Sequence, residues 1–274
     1  MKTNALRQLA VSAALGLAAL PADAGGGAVS PDQVIAAEIL SGWQTDSGSR
    51  MAALHLTLAP GWKTYWRAPG DAGIPPTFSW DGSKNLKSVR YHWPRPEVFE
   101  SFGTRTVGYH DELVLPIELI PNDPTAPIAL QGEMDLGVCE TICMPAKLRF
   151  SADLQGTGRP DAAIKSALAA GPVPGARAGV REVRCEVGPT ADGVQLTATI
   201  RMPALKGGEV ALVEAGDPRI WVSDPTARRK GENLTVQADL VPARGTPLAL
   251  DRSALRFTVI GSKGAVDILG CTPG

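Results

Sequence analysis

Ile128-Ala-Leu-Gln-Gly-Glu-Met-Asp-Leu136 runs into Gly137-Val-Cys-Glu-Thr-Ile-Cys-Met-Pro-Ala146, and Lys147-Leu-Arg-Phe-Ser-Ala-Asp-Leu154 continues beyond it. The flanks read as strands. Between them, Cys139 and Cys143 stand four positions apart, with Pro145 two residues after the second. The chain has only two other cysteines, so a close pair is a device. Three chemistries use one: a structural staple, a redox-active disulfide, or a soft-metal clip. A turn through Glu140-Thr-Ile142 can bring the Cα atoms within bridging range, about 4.4–6.8 Å. Closing so short a loop removes little unfolded-chain entropy. The pair is therefore a weak staple, whereas an exposed bridge of this kind is comparatively easy to reduce. The redox reading leads; the staple and the metal clip stay open beside it.

Working outward, the same pattern of short strands and breakers recurs. Val34–Leu40 reads as a first strand, and Met51–Leu58 puts Leu54, Leu56 and Leu58 on one face by its period of two. Trp62-Lys-Thr-Tyr-Trp-Arg67 precedes a loop, Ala68–Pro76, crowded with Pro and Gly. Thr77–Trp80, Val89–Trp93 and Leu113–Ile120 are further strands, and Glu97–Gly103 reads as an aromatic-tipped loop. The aromatics concentrate in this half, where most pack on half-buried strand faces and one or two are candidates to shield the cysteine turn.

Asp161–Ala170 is the one short helix, preceded by Pro160 and ended by Gly171. Gly171-Pro-Val-Pro-Gly175 then reads as a linker. The remainder repeats the all-β grammar, with candidate strands at 180–187, 194–200, 209–213, 220–222, 234–240, 255–260 and 265–269. Cys185 and Cys271 bracket this half. A bridge between them would close a loop of about 85 residues, for which the chain-entropy model gives roughly 4–5 kcal/mol. That is the profile of a structural disulfide. The expected fold is all-β: two immunoglobulin-like β-sandwich domains in tandem, joined by a short helical and Pro/Gly linker. The expected boundaries are 1–24 for a signal peptide, 29–158, 159–176 for the linker, and 177–274.

The first 24 residues have the form of a secretory signal: Lys2 and Arg7, an apolar run from Leu9 to Leu20, and Ala22-Asp-Ala24 as cleavage site. That run is short of the roughly 20 residues a membrane span needs, and no later stretch approaches it. An exported protein without a direct membrane span is expected, and export permits disulfides. The net charge is −1, which gives no electrostatic case for nucleic acid or an anionic membrane.

Several of these motifs occur together in one known family. Pro60-Gly-Trp-Lys-Thr-Tyr-Trp-Arg67, Pro69-Gly-Asp-Ala-Gly73, Phe102-Gly103, Tyr109 with Asp111-Glu-Leu-Val-Leu-Pro116, and Cys139-Glu-Thr-Ile-Cys-Met-Pro145 resemble the N-terminal periplasmic domain of the DsbD/ScsB thiol–disulfide interchange proteins, and the ScsB (suppressor of copper sensitivity) branch more closely. The resemblance covers about residues 32–155; the C-terminal half is similar, more weakly, to the second β-domain of that branch. It implies an immunoglobulin-like fold and a periplasmic thiol–disulfide oxidoreductase of the protein-disulfide reductase type, with no cofactor. Cys139 and Cys143 would be the exchanging pair, with Cys143 the site of attack, and Phe99 or Phe102 the cap over the disulfide. The implied partners are a membrane-embedded DsbD/CcdA-like or thioredoxin-like electron donor and oxidised periplasmic proteins, with a link to copper tolerance. The DsbD branch spaces its cysteines more widely. The family also continues into a transmembrane electron-transfer domain, which is not found before Gly274.

Two local features shape the chemistry. Glu140 between the cysteines disfavours a thiolate, and the motif has no Lys, Arg or His beside it in sequence, although Lys147 and Arg149 follow. Both argue against a strongly activated nucleophile and for a carrier reduced by a specific partner. The rival from another class is Cu(I) binding by Cys139, Cys143 and Met144, since thiolate and thioether ligands select that ion. His55, His92 and His110 are scattered without ligand spacing, and His55 reads as a solvated strand residue. The third reading is a non-catalytic two-domain binding module. Hydrolase, phosphate-loop and paired-carboxylate readings find no supporting motif.

Overall fold

A computed structural model describes residues 30–274 except 102, 245 and 247; the expected signal peptide, residues 1–24, and the Phe102 cap candidate lie outside the described residues. A single helical turn, α1 (Pro31–Val34), leads into β1 (Ile35–Gln44) and β2 (Arg50–Leu58). Then come β3 (Lys63–Tyr65), β4 (Thr77–Ser79) and β5 (Leu86–Tyr91). Next are β6 (Glu97–Ser101), β7 (Thr104–His110) and β8 (Glu112–Pro121), and last β9 (Ile128–Cys139) and β10 (Cys143–Leu154). One sheet has the order β1-β2-β8-β5; the other has β10-β9-β3-β7-β6, with β4 also on β9. Their inner faces share a core that includes Leu54, Leu56, Leu115, Ile117, Trp66, Leu136 and Val138.

Two expectations need correction here. The first strand begins at Ile35, because Ser30-Pro31 starts a helical turn in which the Ser30 N–H donates to Gln33 Oε1 at 3.1 Å and the Gln33 N–H donates to the Ser30 carbonyl at 3.0 Å. The Glu97–Gly103 stretch is a strand, not a loop: β6 pairs with β7 from Glu97↔Gly108 to Ser101↔Thr104. Pro94 and Pro96 on one side and Gly103 on the other mark the ends of this hairpin arm, and the alternation inside it, Val98 inward and Phe99 outward, is only five residues long.

The predicted helix forms as α2 (Ala162–Ala169), with the Asp161 carboxylate accepting from the Ile164 N–H as N-cap. It is more than a spacer. Ile164 packs with Met51 and Ala53 on the outer face of β2, burying that end of the strand on both sides.

The second half contains β11 (Val173–Pro174), β12 (Glu182–Pro189), β13 (Val194–Arg201), β14 (Val210–Glu214) and β15 (Ile220–Val222). It continues with β16 (Thr226–Lys230), β17 (Asn233–Pro242), β18 (Arg256–Gly261), β19 (Gly264–Leu269) and β20 (Thr272–Pro273). They form sheets β11-β19-β18-β14 and β15-β17-β13-β12-β20, with β16 on β17, around a core that includes Leu196, Ile200, Leu240 and Phe257. The Val173-Pro174 segment of the expected linker pairs in parallel with Val266-Asp267. It is an edge strand, the position where proline is tolerated. Leu212, Ile260 and Ala265 join the core of the first half. The Arg67 guanidinium donates twice to Glu214, at 2.9 and 3.0 Å.

His55 sits on the outer face of β2 between two carboxylates, Glu38 Oε1 at 2.8 Å from Nδ1 and Glu112 Oε1 at 2.7 Å from Nε2. Burial works against the charged imidazole, but the hydrogen bonds and charges of Glu38 and Glu112 outweigh it and raise the pKa. A raised folded-state pKa stabilises below the unfolded value of about 6.5 and loses that contribution as pH rises through the folded value. Comparing wild type with His55→Gln by urea unfolding across this range should show an advantage of no more than about 1 kcal/mol, given the exposed partners, that fades toward alkaline pH.

Candidate functional site

The β9–β10 hairpin is twelve residues long on each arm, and its last cross-strand pair is Cys139↔Cys143. The two sulfurs are bonded to each other. Alternation along β9 sends Leu136 and Val138 into the core and Gly137 and Cys139 to the outer face. The same alternation sends Trp62, Thr64 and Trp66 inward and Lys63 and Tyr65 outward. The disulfide therefore lies on the outer face of the sheet, with neighbours drawn from distant sequence.

Tyr65 is the first of these. Its ring is buried, and its hydroxyl lies 3.1 Å from Cys143 Sγ; a bridged sulfur carries no hydrogen, so the phenol is the donor. Burial pushes the Tyr65 pKa up, which keeps that proton in place. The ring occupies space that Gly137 leaves open. A Cβ at Gly137 would lie 2.9 Å from Tyr65 ring carbons and 2.8 Å from Ile74 Cβ. On its other edge the Ala68–Pro76 loop closes in, since a Cβ at Gly73 would meet Pro69 at 2.2 Å and Tyr65 at 3.0 Å. Gly137→Ala is accordingly expected to cost about 1–3 kcal/mol by overpacking, seen as a lower urea midpoint.

Lys63 is the second. It is the direct cross-strand partner of Cys139 on one side and of His110 on the other. Four outward residues thus form a row across four strands: Cys143, Cys139, Lys63 and His110. The Lys63 ammonium lies 5.0 Å from the Phe99 ring centroid, and Phe99 meets His110 edge-on at 6.2 Å. Phe99 thus covers Lys63, one residue along the row from the disulfide. No cation adjoins the cysteines along the chain, and it is sheet pairing that brings Lys63 beside Cys139. Lys147 and Arg149, which follow the motif in sequence, are engaged by Glu133 and Asp135.

The two sulfurs are unequal. Cys139 is 6% exposed, whereas Cys143 is exposed. Next to it Ile142, 75% exposed, offers an apolar tip at the turn. Met144 is on the core face, paired with Val138 and packed against the core. A Cu(I) clip from Cys139, Cys143 and Met144 would need side chains from both faces of one hairpin, so the three donors do not converge. Among the described residues no group of three or more His, Cys, Asp or Glu side chains is arranged to hold a metal ion.

Residues 30–155 match the family described as thiol:disulfide interchange protein DsbD, N-terminal. Over this stretch the chain is similar to DsbD N-terminal domains. The crystal structure of the N-terminal periplasmic domain of ScsB from Proteus mirabilis is similar with a TM-score of 0.65 and 25% identity, over 90% of this chain and 97% of that one. The likeness to the ScsB domain thus extends past residue 155 into the second half. No curated protein matches the chain. Among the described residues no helix is long and apolar enough to cross a membrane.

Cys185 and Cys271 form the second bond of the chain. Cys185 is 1% exposed in β12, and the bond lies beside the parallel pairing of Arg184 with Thr272. It fastens the last strand to the second half.

Proposed function

We propose that the chain is a periplasmic thiol–disulfide exchange protein, relaying reducing equivalents from a membrane-embedded or thioredoxin-like donor to oxidised periplasmic proteins through Cys139 and Cys143. The observation that carries this reading is the asymmetry of the bonded pair, one sulfur exposed and the other buried beside it. A donor thiolate reaches Cys143 Sγ, forms a mixed disulfide there, and displaces Cys139 as a thiolate. A second donor thiolate then frees Cys143, leaving the dithiol. Discharge runs the same route in reverse: the Cys143 thiolate attacks a substrate disulfide, and Cys139 attacks Cys143 Sγ to release the reduced substrate and close the bridge. The exposed Ile142 beside Cys143 is an apolar contact for a docking partner. The periplasmic location is supported by the ScsB domain and by the signal-like residues 1–24; a copper-tolerance role rests on the ScsB resemblance alone.

Glutathione disulfide provides a defined test. Reduced Cys139→Ser should accumulate one glutathione on Cys143, located by peptide mass, while reduced wild type should expel it and reform the bridge. A folded Cys139→Ser protein whose Cys143 takes up no glutathione would contradict the proposal.

A further inference from the structure

The exchange step leaves a negative charge on a buried sulfur, and Lys63 is the cation opposed to it across the strands. We propose that Lys63 is the positioning residue that stabilises the Cys139 thiolate when the bridge opens, and that the Phe99 ring holds its ammonium while the bridge is closed. This inference deepens the function proposed above and rests on that assignment of the leaving sulfur.

Directly opposed residues in an antiparallel pair have Cβ atoms about 4.5–5.5 Å apart, and Lys63 is opposed to Cys139. A lysine has a flexible four-carbon stem, so its ammonium can move from the Phe99 ring to the adjacent sulfur without a change in the strand. Among the described residues Lys63 makes no salt bridge, whereas the other lysine near the hairpin, Lys147, is bound to Glu133 and Asp135. The remaining charged or titratable neighbours do not substitute for it. Glu140 adjoins Cys139 and opposes a thiolate, with its carboxylate turned toward Gly61. His110, on the far side of Lys63, faces Glu97 at 3.0 Å and Asp111 at 3.5 Å. The Tyr65 hydroxyl is committed to Cys143 rather than Cys139.

The step balances simply. The donor sulfur bonds to Cys143 Sγ, the Cys143–Cys139 bond breaks, and its electron pair leaves on Cys139 Sγ. One negative charge moves from donor to Cys139, where Lys63 neutralises it. A better-stabilised leaving thiolate departs faster. In the relaxed bridge the same ammonium lies against Phe99 at 5.0 Å.

The test isolates Cys139 as the one free thiol. In Cys143→Ser, with Cys185–Cys271 intact, ultraviolet thiolate absorbance is titrated against pH. Adding Lys63→Met should move the Cys139 titration upward by about one pH unit or more, the size of shift an opposite charge at close range produces; Lys63→Arg should restore most of it. In the otherwise wild-type chain, Lys63→Met should slow opening of the bridge by a small dithiol several-fold. A Cys139 titration that Lys63→Met leaves in place, in a protein that unfolds at the wild-type urea midpoint, would overturn the inference. The thiol titration needs no exchange partner, so it reports on Lys63 even if the glutathione test fails.

Discussion

Cys143→Ser is expected to bring thiol–disulfide exchange to background, and this is the largest effect anticipated for any single substitution outside the core. With Cys143 absent the remaining thiol, Cys139, is 6% exposed on the outer sheet face, where it cannot reach a partner's disulfide in line. Cys139→Ser should behave differently: its exposed Cys143 still attacks, but the mixed disulfide it forms has no internal thiol to resolve it. The pair of variants therefore separates attack from resolution. Reduction of glutathione disulfide, followed by thiol counting and peptide mass, measures both. Equal loss with no adduct on either variant would mean that the two sulfurs are not differentiated as their burial implies.

Cys271→Ala is expected to lower stability by about 4–5 kcal/mol in the chain-entropy account, since the bond to Cys185 closes a separation of 86 residues. The bond joins β12 to the segment leading into β20, which contacts β12 through the short parallel pairing of Arg184 and Cys185 with Thr272 and Pro273. Without it, β20 keeps that pairing and the hydrogen bonds of Thr272 Oγ1 to the Val183 carbonyl and of the Gly274 N–H to the Cys185 carbonyl, and the Cys185 thiol is left in the core. The urea midpoint of the second half should fall, with exchange at Cys143 retained under conditions where the chain is folded. The contrast with the tight pair is physical: a bond across a long loop constrains the unfolded chain, whereas one across a hairpin turn constrains almost nothing.

Local signals explain what could be read from sequence. The period-two runs at Met51–Leu58 and Ile128–Leu136 correspond to β2 and β9, and Asp161 with Gly171 bracketed α2 because capping is written in adjacent residues. The β6–β7 hairpin carries no such signal, because its inward-outward alternation is short and lies between prolines and a glycine. The site was legible only in its cysteines. Tyr65 stands 78 positions from Cys143, and Lys63 reaches Cys139 through sheet pairing alone. No window along the chain contains them together. The Trp62–Arg67 stretch was visible as a motif, but which of its alternate residues faces the core and which faces the disulfide depends on register with β9.

The central claim is that Cys139 and Cys143 are a working redox pair while Cys185 and Cys271 are not. The direct measurement is the reduction potential of each bond, by equilibrating the mature protein in thiol–disulfide buffers and assigning free thiols by peptide mass. The account predicts that Cys139–Cys143 titrates above roughly −300 mV, within reach of cellular thiol donors, while Cys185–Cys271 stays oxidised there. A Cys139–Cys143 bond that remains closed well below that potential would contradict it.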